Sequence, residues 1–437
     1  MKLTSHLLTP LFIMLLLFFS KHSEAQTLNE SLKQLSEKHE LFGGNVVLFD
    51  KDRITGQVNF GKLRISDDKP VDNESLFRVA SISKTVTAIA IMQLVEKNKL
   101  DLDANVAKLM SVDFYNPEFQ EDIITPRMLL SHTSSLNDDP ESYDNFLNET
   151  YKQNPVPPLK ELLSVKGKYY SKNLFLPKKP GSYFNYSNLN YGILGTLVEI
   201  VSGMRFDDYC LKFILSPMGI NGNFNVNQLS DISKLATLYR KKEGEWVAQT
   251  DDFNGKRPEL GNLETYVTGT NAIRFGPQGG LRISAADLSK IFTLFLNNGR
   301  YRNQQIISAA SIKKMMTAQW AYNGSNGDSG NGLFRKWGLG LQLITGTKDN
   351  DEIFTGKQFL IGHSGDAYGL VADAFVDTLS KKGFVFITNG SGTGFQASDC
   401  SSFYDVEKEV FDLIDAERKR TKIAIKTPRP VVSGKRN

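Results

Sequence analysis

Residues 77–97 read Phe77-Arg78-Val79-Ala80-Ser81-Ile82-Ser83-Lys84-Thr85-Val86-Thr87-Ala88-Ile89-Ala90-Ile91-Met92-Gln93-Leu94-Val95-Glu96-Lys97. From Lys84 onward, Val86, Ile89, Ala90, Gln93, Leu94 and Lys97 fall at helical spacing. Ser81 follows the apolar Phe77 and Val79 and stands where that pattern begins, over the positive end of the helix dipole. Lys84 is three residues later, about one turn on, so its amine lies over the same face as the Ser81 hydroxyl. A serine hydroxyl is a poor nucleophile until a base takes its proton, and burial can lower a lysine's pKa enough to serve as that base. The tetrad alone is not distinctive. Ser66–Lys69 and Ser311–Lys314 repeat it, the first polar and running into Pro70, the second without a companion motif. An N-cap serine followed by a surface lysine is the structural alternative.

Outward from this stretch, residues 45–50 and 56–63 are short β-branched or aromatic runs around a polar turn and predict a strand pair. Helical patterns and long polar insertions, notably 137–179 and 240–275, fill the middle of the chain. Residues 337–343, 370–376 and 384–388 predict strands, and 402–416 a final helix. Strands, then helices, then strands imply an α/β fold of two lobes. Both chain ends supply one antiparallel sheet flanked by helices, and the middle supplies a mostly helical lobe. The boundary between lobes is where a ligand cleft is expected.

Two further motifs carry chemistry. Pro180-Gly181-Ser182-Tyr183-Phe184-Asn185-Tyr186-Ser187-Asn188 leads into an apolar helical run from Tyr191 to Val201, ended by Gly203. A loop tyrosine can carry a proton, and an asparagine can bind an amide. His363-Ser364-Gly365-Asp366 precedes the strand at 370–376, and Gly365 would admit a close backbone.

In this order the three motifs resemble the signatures of the penicillin-recognising serine hydrolases: class C β-lactamases, serine DD-carboxypeptidases, D-aminopeptidases and related esterases. Thr125-Pro126-Arg127-Met128-Leu129-Leu130-Ser131-His132-Thr133-Ser134 and Gly279-Gly280-Leu281-Arg282-Ile283-Ser284-Ala285-Ala286-Asp287-Leu288 resemble further stretches of that superfamily. The likeness runs from about 40 to 415. It implies a β-lactamase/transpeptidase-like fold, with Ser81 attacking a carbonyl while Lys84 and Tyr186 pass its proton on. It further implies substrate contacts at Asn188, His363, Ser364, Gly365 and Asp366, and an oxyanion hole from the backbone N–H groups of Ser81 and Asp366. His363 stands where true β-lactamases carry lysine, and His132 is expected to be structural. Ser135 stands where the family often has glycine.

Asp366 bears on substrate. Were 363–366 extended, Ser364 and Asp366 would share one face, which the resemblance makes the face meeting a substrate carboxylate. A carboxylate there would disfavour penicillins and D-Ala-D-Ala peptides by about 1 kcal/mol or more. The expected activity is therefore peptidase- or esterase-like cleavage of an amide or ester. A β-lactamase or DD-carboxypeptidase is the alternative. A non-catalytic wall-binding protein would gain nothing from keeping Ser81, Lys84 and Tyr186 together.

Composition bounds the rest. The chain has 437 residues and a net charge of +4. Residues 418–437 carry eight Lys or Arg and no acid, and residues 1–25 carry +1, so the body at 26–417 carries −5. That balance argues against nucleic acid as a partner. The basic segment 418–437 is expected to be a disordered tail, with weak attraction to wall polymer or anionic lipid. Leu7–Phe19 is apolar, with Ser23 and Ala25 placed for cleavage before Gln26, so residues 1–25 predict a signal peptide and a periplasmic or secreted hydrolase domain. Cys210 and Cys400 could pair, although two separate thiols are the simpler reading. No zinc spacing occurs, Asp101-Leu102-Asp103-Ala104-Asn105 lacks the later ligands of a calcium loop, and no cofactor is expected.

Overall fold

Phe49, Val47, Val385, Ile387, Ala372, Ala374 and Val376 share one face of a sheet, while Val46, Phe384, Phe386, Val371 and Phe375 share the other. This alternation makes a sheet buried on both sides and covered by helices on both. The computed structural model describes residues 28–426 apart from residue 357; the expected signal peptide and residues 427–437 lie outside the described residues.

The chain enters through helix α1 (Leu28–Lys38) and strands β1 (Gly43–Asp50) and β2 (Ile54–Gly61). Helix α2 (Ser83–Glu96) follows, and after the helical lobe come α3 (Asn188–Ser202) and α4 (Ala285–Leu296). The last third holds β3 (Trp320–Ala321), β4 (Lys336–Trp337), β5 (Gln342–Leu343), β6 (Leu360–Ala367), β7 (Leu370–Asp377), β8 (Lys382–Thr388) and helix α5 (Asp405–Lys426). The sheet order is β3-β4-β5-β6-β7-β8-β1-β2, antiparallel throughout, so strands from both chain ends meet at the β8–β1 pair. Helix α4 lies on one face, and α1 and α5 cover the other.

Local chemistry explains several boundaries. Strands β6 and β7 are joined by Tyr368 and Gly369, both at positive φ (57° and 95°), the two-residue turn whose twist suits a hairpin. Helix α3 ends at Gly203, φ 71°, as the sequence predicts. The expected strand at 337–343 is instead the tight β4–β5 hairpin. Gly340 turns there at φ 74°, so close to α2 that a Cβ would strike that of Ala88.

Helix α2 departs from an amphipathic reading. Residues 83–94 are all buried, so the helix runs through the middle of the core. Its polar side chains are satisfied there: Gln93 donates to Phe213 O (3.1 Å) and Ile306 O (2.8 Å), and Thr87 donates to Pro277 O (2.7 Å).

The expected disordered tail from 418 is corrected in its first part, because α5 continues to Lys426. Arg418 sits 4.1 Å from the Phe354 ring centroid and pairs with Asp377 and Asp415, and Lys419 pairs with Asp415 at 2.7 Å, which holds these turns against the sheet. Cys210 is buried and Cys400 exposed, and both are free. Arg418→Ala should lower stability by about 1 kcal/mol. It should also speed amide exchange in the last turns of α5, read by hydrogen–deuterium exchange; unchanged exchange there would show the helix stands without this contact.

Candidate active site

Ser81 lies in a single 3₁₀ turn, Ala80–Ile82, just before α2. Ala80 adopts φ 42°, a left-handed conformation that a residue with a Cβ adopts only at a cost. The turn is held from behind by β6. A Cβ at position 365 would lie 2.8 Å from Val79 O and 3.0 Å from Ser81 N. Gly365 is therefore required by the approach of the Ser81 turn, rather than by the approach of a substrate backbone.

Lys84, wholly buried, sends its Nζ to three oxygens: Ser81 Oγ at 3.0 Å, Asn188 Oδ1 at 2.8 Å and Gln278 O at 2.8 Å. Burial pulls its pKa down to about 7, opposed by the charges of Asp138 and Asp366. An ammonium could donate to all three. A neutral amine has two hydrogens and one lone pair, and Asn188 Oδ1 and Gln278 O can only accept. The lone pair therefore falls to Ser81, whose hydroxyl can donate to it, and Ser81 and Lys84 form a nucleophile–base pair.

Tyr186 brings its hydroxyl within hydrogen-bond reach of Ser81. Its ring is clamped between His132 (centroids 4.4 Å, 26° between planes) and Phe334 (5.1 Å, 7°), with the Lys84 Nζ 4.8 Å from its centroid. Burial drives its pKa well up, so the phenol stays protonated. His132, at φ 56°, accepts at Nδ1 from Ser187 N (3.1 Å), and burial holds its pKa well down. It is a neutral plate under Tyr186, in keeping with the structural role expected of it.

Sequence reasoning missed Asp138. Its carboxylate accepts from Ser187 Oγ (2.7 Å), Asn188 N (2.7 Å) and Leu189 N (3.0 Å), capping α3 from another segment and fixing Asn188. Only a position within a polar insertion marks it in the sequence. The carbonyl of Gln278 was missed too, because any residue could supply it.

The β6 motif is placed differently from expectation. Residues 364 and 366 share a face, but it is the face of Leu360, Val371 and Phe375, turned toward α5. Ser364 pairs across the strands with Asp373 and does not line the cavity at Ser81. Asp366 reaches the cavity only at the strand's end, where it takes a hydrogen bond from Tyr404; desolvation raises its pKa, with Lys84 opposing. His363 is on the inner face but buried (2% exposed), edge-on to Trp337 at 5.3 Å, and its pKa falls to about 3 through burial. It lies behind Tyr186 and does not line the cavity. Ser135 sits at φ 68°, where glycine is favoured, and its Oγ accepts from Asn116 Nδ2 at 2.9 Å.

A cavity of about 670 Å³ opens at Ser81, Asn188 and Gln278. Both insertions contribute walls: Tyr143, Asp144 and Tyr151 from one, and Asp251 and Arg274 from the other. Buried Asp251 and Arg282 pair at 2.7 Å.

The profile of the family described as Beta-lactamase matches residues 28–402. The chain belongs to that family of serine hydrolases. Penicillin-binding protein 4* of Bacillus subtilis (strain 168) is 30% identical over 202 residues, which is 46% of this chain and 41% of that one. The match thus spans less than half of that relative's length. The octameric penicillin-binding protein homologue from Pyrococcus abyssi superposes with a TM-score of 0.63 at 24% identity, covering 84% of this chain and 74% of that one. D-amino acid amidase from Ochrobactrum anthropi SV3 gives 0.63 at 18% identity, covering 90% and 99%. These two likenesses establish the fold: an antiparallel sheet with flanking helices beside a helical lobe.

Gly365→Ala should leave the protein folded but displace the Ser81 turn, cutting serine-directed fluorophosphonate labelling at least tenfold. Labelling at the wild-type rate would mean the turn does not depend on β6.

Proposed function

We propose that this chain is a serine hydrolase that cleaves an amide or ester through an acyl-enzyme on Ser81. The observation that carries the reading is the Lys84 amine, buried and hydrogen-bonded so that its lone pair belongs to Ser81 Oγ. Ser81 attacks the carbonyl as Lys84 takes its proton. Tyr186, within reach of Ser81, relays a proton to the leaving group. Asn188 has its Oδ1 engaged by Lys84, which leaves its NH₂ to bind a substrate carbonyl. The N–H groups of Ser81 and Asp366 are assigned to the oxyanion. Water then releases the acyl group by the same route.

Peptidase- or esterase-like cleavage is the first reading. β-Lactam or D-Ala-D-Ala hydrolysis is the second, supported by the relation to penicillin-binding protein 4* and by the turning of Asp366 toward Tyr404, which weakens its repulsion of a carboxylate. Leu7–Phe19 and the small residues Ser23 and Ala25 support export of the chain.

A fluorophosphonate adduct should map to the peptide containing Ser81 and vanish in Ser81→Ala; label on Ser311 would refute the assignment. Tyr186→Phe keeps the ring stack and should lose about 10²–10⁴ in turnover; activity within threefold of wild type would remove Tyr186 from the mechanism. Lys84 acts when neutral and its pKa is depressed to about 7, so kcat/KM for a neutral ester should rise with pH through that value. A flat profile from pH 5.5 to 8.5 would exclude Lys84 as the base.

A further inference from the structure

One wall of the Ser81 cavity holds acceptors that nothing in the protein fills. Tyr143 sits on the turn Pro140–Asp144, which Asp139 fixes by accepting from Ser142 N (3.1 Å) and Oγ (2.6 Å). Its side chain is 2% exposed and its hydroxyl has no hydrogen-bond partner. The groups that act on this hydroxyl electrostatically are Asp138, Tyr151, Asp144 and Tyr368, and all four line the cavity. A buried hydroxyl without a partner is a cost that a ligand can remove.

Asp144 lines the same wall and makes no side-chain hydrogen bond or ion pair among the described residues, whereas the Asp138 carboxylate is taken up by α3. Gln278 Oε1, also in the lining residues, is a second buried acceptor without a donor. The cations of the cavity are held elsewhere. Arg282 pairs with Asp251, Arg274 donates from Nε to Asn262 Oδ1 (2.6 Å), and Arg78 donates from Nε to Gly279 O (2.9 Å) while lying over Tyr368. Open acceptors beside an uncompensated carboxylate suit a group with several N–H donors and a positive charge.

We propose that Tyr143 and Asp144 form an ammonium subsite, and that the substrate of Ser81 carries a free amine. This rests on the Ser81 cavity being the substrate cavity. Asp144 supplies the charge, and the Tyr143 oxygen accepts one N–H.

The test is calorimetric binding of phenylalaninamide, each enantiomer separately, and of N-acetylphenylalaninamide to full-length Ser81→Ala protein, which cannot turn them over. At least one enantiomer of the free amine should bind tenfold or more tighter than its acetylated counterpart. Adding Asp144→Asn should shrink that ratio below threefold, Asp144→Glu should retain it, and Tyr143→Phe should reduce it in part. Equal binding, no binding of the amine, or a preference that survives Asp144→Asn overturns the subsite. Fluorophosphonate labelling of the wild type is scored separately. Ser81 labelling without an amine preference rejects only the subsite, whereas an amine preference without Ser81 labelling rejects the hydrolase reading.

Discussion

The structure turns on one amine without bulk water. Lys84 is on a helix buried all round, and its Nζ is shared among oxygens from residues 81, 188 and 278. An ammonium in such a place is costly unless compensated, so the group titrates near neutrality instead of near 10.5. Two compensating charges, Asp138 and Asp366, act on it from different lobes and keep the pKa from falling further. The balance leaves an amine that can be neutral at ordinary pH, while two pure acceptors direct its lone pair at the serine. Each of those acceptors needs its own support: α3 must start at Asn188, and the chain before Gly279 must pass beneath α2.

Around that amine the fold builds a layer of groups that never meet a ligand. Asp138 pins the start of α3, His132 underlies Tyr186, and Phe334 covers the opposite face of the same ring. His363 and Trp337 close the back as neutral, apolar-facing walls. Burial drives the Tyr186 phenol up and both histidines down, so these aromatic groups stay uncharged beside Lys84. An uncharged surround is what lets a depressed lysine pKa persist.

The cavity walls divide by charge. Guanidinium groups of Arg78, Arg274 and Arg282 are satisfied by carbonyls, an amide and Asp251, while the turn carrying Tyr143 and Asp144 is left with open acceptors. Both walls come from insertions whose polarity in sequence suggests only surface loops.

Much of the fold and of the site is legible in the order of the residues. Ser81-x-x-Lys84, Tyr186-x-Asn188 and the glycine at 365 are local patterns, and the β-branched runs at 45–50, 370–376 and 384–388 have the strand period that a buried sheet requires. Those features are carried by neighbours within a few residues, so the chain states them directly. What the chain could not state were relations between distant segments. Period 2 put Ser364 and Asp366 on one side of β6, but only the packing of α5 against the sheet decided which side, and it turned them away from the nucleophile. The helical spacing of α2 suggested an exposed face, until the surrounding lobe buried it completely. Asp138 and the Gln278 carbonyl gained their roles from where two loops end, and Gly365 from the turn pressed against it. Periodicity and local motifs are properties of a segment; burial, and with it the Lys84 pKa, is a property of everything packed around that segment.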